Sequence, residues 1–296
     1  MAAKLTLLGT GTPTPLVHRA GSSYLVTLDD EKILVDCGPG AVRRLLKKSV
    51  SPTTINTLLL THLHYDHCVD YGYLTLVRWD QGVGNIPDLE VYGPEPTARM
   101  TEQLFSESGV YAPDLAARTL GRGGQFVCQQ RGGKLPRKRP EPFVTEVAHG
   151  DLIEKPNWTV KVAEVKHSQP HLICMAYRLD TSDKSIVFGG DTAPTKNLTN
   201  LAEGADVLIH MCHLLNGVVT DRRITGQCSG HLDCATTARD AKVTTLILVH
   251  LTEQLERPGI RERVLFEAGE VFDGNIIFAE DLLEVPLGEI SPEAIR

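Results

Sequence analysis

The segment Thr61-His62-Leu63-His64-Tyr65-Asp66-His67 packs four side chains able to bind a metal, three imidazoles and a carboxylate, into six positions. Neutral imidazole nitrogen and carboxylate oxygen are the donors that zinc and similar divalent ions favour. The flanks locate this cluster in a fold. The apolar run at 55–60 reads as a buried strand, and 68–80 carries Val69, Tyr73, Leu74 and Val77 at helical spacing. The histidines therefore leave the C-terminal end of a strand, where open α/β sheets gather their ligands. Asp66 and His67 fall near a helix start. Two alternate loop residues followed by an adjacent pair can address two different ions, so a binuclear centre is expected.

One loop cannot complete two sites, so further ligands must come from other strand ends. Three residues meet that requirement: His167 closes the apolar run 160–165, Asp191 follows Ser185–Phe188 through Gly189-Gly190, and His250 ends the run 246–249. Strands also read at 5–8, 24–27, 33–35, 89–92, around Val144, at 173–179 and at 207–210. Helical patterns fall at 41–48, 97–108, 234–241 and 261–268. Strands alternating with helices, without internal repeats, predict an α/β fold of two sheets each faced by helices, a four-layer αββα sandwich. We expect one domain over residues 1–296, with a loop or lid insertion near 109–142, because 121–142 is rich in Gly, Pro and basic residues and lacks any period.

The 296 residues carry a formal net charge of −7, which argues weakly against an extended nucleic-acid surface. No run of apolar residues is long enough to span a membrane. Seven cysteines without C-x-x-C pairing fit a reducing compartment, and the short apolar N-terminus reads as a strand rather than a signal peptide, so a cytoplasmic location is expected. Gly9-Thr10-Gly11-Thr12 lacks the further Gly or Lys of a nucleotide loop and reads as a turn beside the metal edge. Cys37, Cys68, His149, His171, His210 and His213 are taken as structural.

Leu8-Gly9-Thr10-Gly11-Thr12-Pro13, Val35-Asp36-Cys37-Gly38, the H-x-H-x-D-H segment, Gly190-Asp191-Thr192 and the strand ending at His250 together resemble the metallo-β-lactamase superfamily. Within it the chain is similar to the branch of ribonuclease Z and the arylsulfatase-like metal-dependent hydrolases. The resemblance implies metals at one edge of the two sheets: His62, His64 and His167 on one ion, Asp66, His67 and His250 on the other, and Asp191 bridging. It implies Asp36 as an outer residue orienting a ligand, and Asp66 and His231 as catalytic. Two zinc ions per chain are expected, with manganese or iron as substitutes, and a homodimer. The pattern departs from ribonuclease Z at Tyr65, where Gly is usual, and at Met211, where a Glu is usual. On that ground the first expectation is a zinc-dependent hydrolase using a metal-bridging hydroxide on a small-molecule ester: sulfate ester, phosphodiester, carboxylic ester or lactone, or an activated aryl substrate. The alternative is a tRNA 3′-processing endonuclease, supported by the basic segment Arg131, Lys134, Arg137, Lys138 and Arg139.

Overall fold

A computed structural model describes residues 3–285 and residue 287. Among the described residues, fourteen strands form two sheets of seven. The first sheet holds β1 (Ala3–Gly9), β2 (Ser23–Leu28), β3 (Glu31–Val35), β4 (Thr57–Leu59), β5 (Glu90–Gly93) and β6 (Phe143–Glu146). The second holds β7 (Leu152–Lys155), β8 (Trp158–Glu164), β9 (Met175–Asp180), β10 (Ser185–Phe188), β11 (Val207–Met211), β12 (Thr245–Val249) and β13 (Asn275–Phe278). The last strand, β14 (Leu283–Val285), returns to the first sheet and pairs antiparallel with β1, Leu5 opposite Val285. Strands β3 to β6 run parallel, as do β10 to β13.

Period-two alternation along the strands explains the layering. In the first sheet Leu5, Leu7, Tyr24, Val26, Ile33, Val35 and Leu59 share a core with Val160, Tyr177, Ile186 and Phe188 of the second sheet. Their neighbours Leu8, Leu25, Leu34, Leu58 and Leu60 point the other way, into a core with Val42, Leu45, Tyr71, Leu74 and Phe105 from the covering helices. Both faces of the first sheet are therefore buried. The second sheet is covered on its outer side by residues such as Leu198, Ala235, Ala238, Val264 and Ala268. The αββα expectation holds.

Two local expectations change. The segment 121–142 is not a loop throughout, because Arg122–Gln130 is helical, following a helix at Ala112–Leu120. Gly123 and Gly124 depress its helix propensity, and the helix is short, so no period shows. In the helix Asp70–Gly82 the buried side is Tyr71, Leu74, Thr75 and Arg78, not the stripe Val69, Tyr73 and Val77. Arg78 serves that side by donating to the carbonyls of Thr53 and Pro87, each at 2.9 Å. A buried guanidinium with several carbonyl partners replaces an apolar contact that periodicity alone assigns to Tyr73.

Candidate active site

The loop after β4 is fastened between the sheets before any metal is considered. Thr61 accepts at its carbonyl from the Met175 amide of β9 (2.8 Å), and Tyr177 Oη donates to the Leu60 carbonyl (2.7 Å). Asp36, fully buried at the end of β3, accepts from the Thr61 amide (2.8 Å) and from Thr61 Oγ1 (2.9 Å). Behind Asp66, an added Cβ at Gly38 would lie 2.0 Å from the Asp66 carbonyl oxygen, so only glycine admits this approach. Asp36, Ser168 and His250 sit at φ 57°, 57° and 55°, a left-handed region non-glycine residues seldom occupy. Such backbone outliers persist where surrounding contacts over-determine them, and they cluster at functional sites.

From this frame two groups of donors converge. His62, His64, His167 and Asp191 form one, and Asp66, His67 and His250 the other, with ligand atoms inside each group within 4.8 Å of one another. His64 Nδ1 is 3.1 Å from His62 Nε2 and 3.2 Å from His167 Nε2. His250 Nε2 is 3.3 Å and His67 Nε2 3.6 Å from Asp66 Oδ2. Asp191 stands between the groups: Oδ1 is 3.4 Å from His67 Nε2, and Oδ2 is 3.1 Å from His250 Nε2 and 3.8 Å from His167 Nε2. All seven residues expected from sequence come together.

The donor set fits cations. Asp66 Oδ1 and His67 Nε2 are buried without any hydrogen-bond partner, a costly condition that a metal would relieve. The ring nitrogens left facing away from the cluster are, for most of the histidines, tied down. His67 Nδ1 donates to Asp36 Oδ2 at 2.7 Å, His167 Nδ1 to the Gln227 carbonyl at 2.8 Å, and His62 Nδ1 to Thr61 Oγ1 at 3.0 Å. Such outer bonds fix tautomer and ring orientation in metal sites.

Charge follows the same arrangement. Burial pushes His62 and His64 below the ordinary histidine range, and the neighbouring imidazoles add to it. Burial pushes Asp191 upward, but His250, His67 and His62 outweigh it and hold the carboxyl well below its usual range. Burial opposes a charge on His67 too, yet Asp191 and Asp36 raise it well above the ordinary value. A proton on His67 thus occupies the side that would face an ion, and metal uptake would displace it.

A pH prediction follows from these directions. Ligand histidines must be neutral and ligand carboxylates ionised to bind metal. Lowered His62, His64 and Asp191 values keep them in those forms below the usual titration range, whereas raised His67 must give up a proton to an ion. Metal content measured after dialysis at stepped pH is expected to fall in two stages as pH drops: the position of Asp66, His67 and His250 empties first, and that of His62, His64 and His167 holds through the ordinary histidine value of about 6.5. Loss of both ions in a single stage centred at or above about pH 6.5 would contradict the assigned environment.

The remaining histidines divide. His231 opens the helix His231–Asp240 but is not brought into the cluster: it is fully buried, Nδ1 accepts from the Asn216 amide (3.3 Å), and Nε2 lies 2.7 Å from Glu267 Oε2. His149 and His171 are exposed, whereas His210 is buried, pushed down to about 4 by desolvation. His213, read from sequence as structural, instead touches the cluster, with Nδ1 3.1 Å from His250 Nδ1. Met211 is buried in β11. Tyr65 is 57% exposed at the rim, and its hydroxyl donates to the Pro13 carbonyl at 2.8 Å.

The model of the metallo-β-lactamase superfamily matches residues 16–250. A ribonuclease Z of Mycolicibacterium gilvum is 32% identical over 288 residues, covering 95% of each chain. A ribonuclease Z of Mycobacterium bovis is 31% identical over 290 residues, covering 95% of this chain and 97% of its own. Among solved structures, the metallo-β-lactamase fold protein YhfI of Bacillus subtilis matches with TM-score 0.74 at 20% identity, covering 97% of this chain and 100% of its own. The short form of human tRNase Z matches with TM-score 0.68 at 18% identity, covering 96% of this chain and 99% of its own. Those two likenesses speak for the fold. Family model, relatives, fold and the paired donor groups agree: the chain belongs to the metallo-β-lactamase superfamily, among its ribonuclease Z-like members, and is a metal-dependent hydrolase.

Proposed function

We propose that this hydrolase cleaves phosphodiesters and that its substrate is an RNA, as the names of its relatives suggest. The observation that carries the reading is the coincidence of seven converged ligand side chains with similarity to ribonucleases Z along 95% of the chain. This reverses the order expected from sequence, where Met211 and the net charge ranked small-molecule esters first.

His62, His64 and His167 would hold one ion, Asp66, His67 and His250 the other, and the two oxygens of Asp191 would serve both. Two zinc ions bound there supply water activation at neutral pH and neutralise charge on the phosphoryl oxygens. Asp66, through the carboxylate oxygen not given to the ion, would accept the proton of the attacking water. His231 is retained as donor to the leaving oxygen, which requires Nε2 to part from Glu267. The resemblance further suggests a homodimer in the cytoplasm. Among the described residues no helix is long and apolar enough to cross a membrane.

Part of the basic segment is neutralised: Arg131 and Arg137 bond Asp80 at 2.9 and 3.1 Å. Exposed Lys134 and Lys138, with Arg137 and Arg139, line a cavity of ≈ 400 Å³ beside Trp79. A second reading, small-molecule ester hydrolysis, is favoured by buried Met211, an apolar side chain where the resemblance calls for a carboxylate.

One assay series separates the two. Metal-loaded protein is given a tRNA precursor with a 3′ trailer, bis-nitrophenyl phosphate, and nitrophenyl sulfate and carboxylic esters. The expected result is trailer release, with binding that weakens steeply with salt as phosphate contacts release counterions. Turnover of the small esters with intact precursor would reject the RNA reading. In the same series His231→Ala is expected to spare metal content and slow RNA cleavage by about 10²–10⁴-fold, the usual contribution of a positioned proton donor. Unchanged turnover would remove His231 from the mechanism.

A further inference from the structure

We infer that His213 is the positioning residue for His250, holding its ring so that Nε2 faces the second metal position. The inference rests on the two-ion reading above and concerns a side chain which that reading leaves unused. His250 Nε2 faces Asp191 Oδ2 at 3.1 Å and Asp66 Oδ2 at 3.3 Å, so this is the nitrogen that must present a lone pair to an ion. The ring proton then resides on Nδ1. The group facing Nδ1 is His213 Nδ1 at 3.1 Å. Two imidazole nitrogens at that distance share one proton, so His250 Nδ1–H donates and His213 Nδ1 accepts, which places the proton of His213 on its own Nε2.

The parallel with the other ligands is close. His67 has Asp36 on its outer nitrogen, His167 the Gln227 carbonyl, and His62 the Thr61 hydroxyl. His213 gives His250 the corresponding acceptor. It is held where it can do so. The Cys212 amide donates to the Val249 carbonyl (2.8 Å), keeping this stretch beside the end of β12. The His213 amide donates to the Ser229 carbonyl (2.9 Å), and Ser229 Oγ donates to the Thr192 carbonyl (2.7 Å), next to Asp191. His213, His250 and Asp191 are thus set by one hydrogen-bonded frame. His250 needs such support, since its backbone lies at φ 55°, where non-glycine residues are held only by surrounding contacts.

The test is zinc affinity, measured by competition with a chromogenic chelator on metal-free protein, with thermal unfolding of each metal-free variant as a folding control. His213→Ala is expected to weaken one of the two zinc sites by about 10–100-fold, the typical effect of losing an outer partner of a ligand histidine. His213→Asn, whose Oδ1 can accept where Nδ1 does, is expected to restore most of that affinity. His250→Ala run alongside separates the two levels of the argument. If His250→Ala loses one site while His213→Ala binds as wild type, or if Asn rescues no better than Ala in variants that unfold at the wild-type temperature, the positioning role is overturned. If His250→Ala itself leaves both sites intact, the two-ion reading fails first.

Discussion

Replacing Asp191 by alanine is expected to empty both metal positions together and to lower turnover by about 10³-fold or more. The carboxylate lies between the groups, with Oδ1 3.4 Å from His67 Nε2 and Oδ2 3.1 and 3.8 Å from His250 and His167 Nε2. It is buried, and the surrounding imidazoles keep it ionised well below the usual carboxylate range. Without it, five histidines face each other with Asp66 as the one remaining carboxylate among the ligands. Each ion then loses a donor and a share of negative charge. Metal stabilisation of transition-state charge is worth several kcal/mol, and each 1.4 kcal/mol is about tenfold in rate. Metal content by elemental analysis and kcat/KM on the same preparation check this. Asp191→Asn, which keeps shape but removes charge, should fall in the same direction and less far. An Asp191→Ala protein that keeps two ions would remove the bridging assignment.

The largest stability effect is expected at Asp36, which touches no ion. Its carboxylate is fully buried and accepts from His67 Nδ1 (2.7 Å), the Thr61 amide (2.8 Å) and Thr61 Oγ1 (2.9 Å). Truncation to alanine leaves buried donors unpaired, at about 1–3 kcal/mol each, and breaks a buried charge pair, typically about 3–5 kcal/mol in total effect. It also puts alanine at φ 57°. These terms overlap, so a loss of about 4 kcal/mol is expected, or roughly 10 °C in Tm for a chain of this size. Asp36→Asn tolerates the backbone and keeps an acceptor, and should lose about half as much. Zinc affinity should drop in both, because His67 loses its outer partner. An Asp36→Ala protein with wild-type Tm would contradict this account of how the metal loop is held.

Much of this was legible in the sequence, for identifiable reasons. Four of the ligands, His62, His167, Asp191 and His250, follow an apolar run within a few residues, His64, Asp66 and His67 share the loop that His62 opens, and open α/β sheets gather their ligands at such strand ends. The alternation of Leu5, Leu7 and Leu8, or of Leu58, Leu59 and Leu60, encodes which side of the first sheet faces the second. What stayed hidden depends on neighbours distant in the chain. His213 meets His250 because β11 and β12 run parallel with Met211 opposite Val249, which sets the residues just beyond them side by side. His231 meets Glu267 because the helices His231–Asp240 and Ile260–Gly269 pack together, and no spacing announces that contact. The helix Arg122–Gln130 was masked by its two glycines, and Arg78 by the rule that charges face water, which fails when carbonyls converge on a guanidinium.

The most direct test is a crystal of the zinc-loaded protein examined at the zinc absorption edge. The account predicts two anomalous peaks per chain, about 3.5–4 Å apart, the spacing of two-metal hydrolytic sites. One should lie among His62, His64 and His167, the other among Asp66, His67 and His250, with Asp191 contacting both. A single peak, or ions bound elsewhere while these seven side chains stay unliganded, would contradict it.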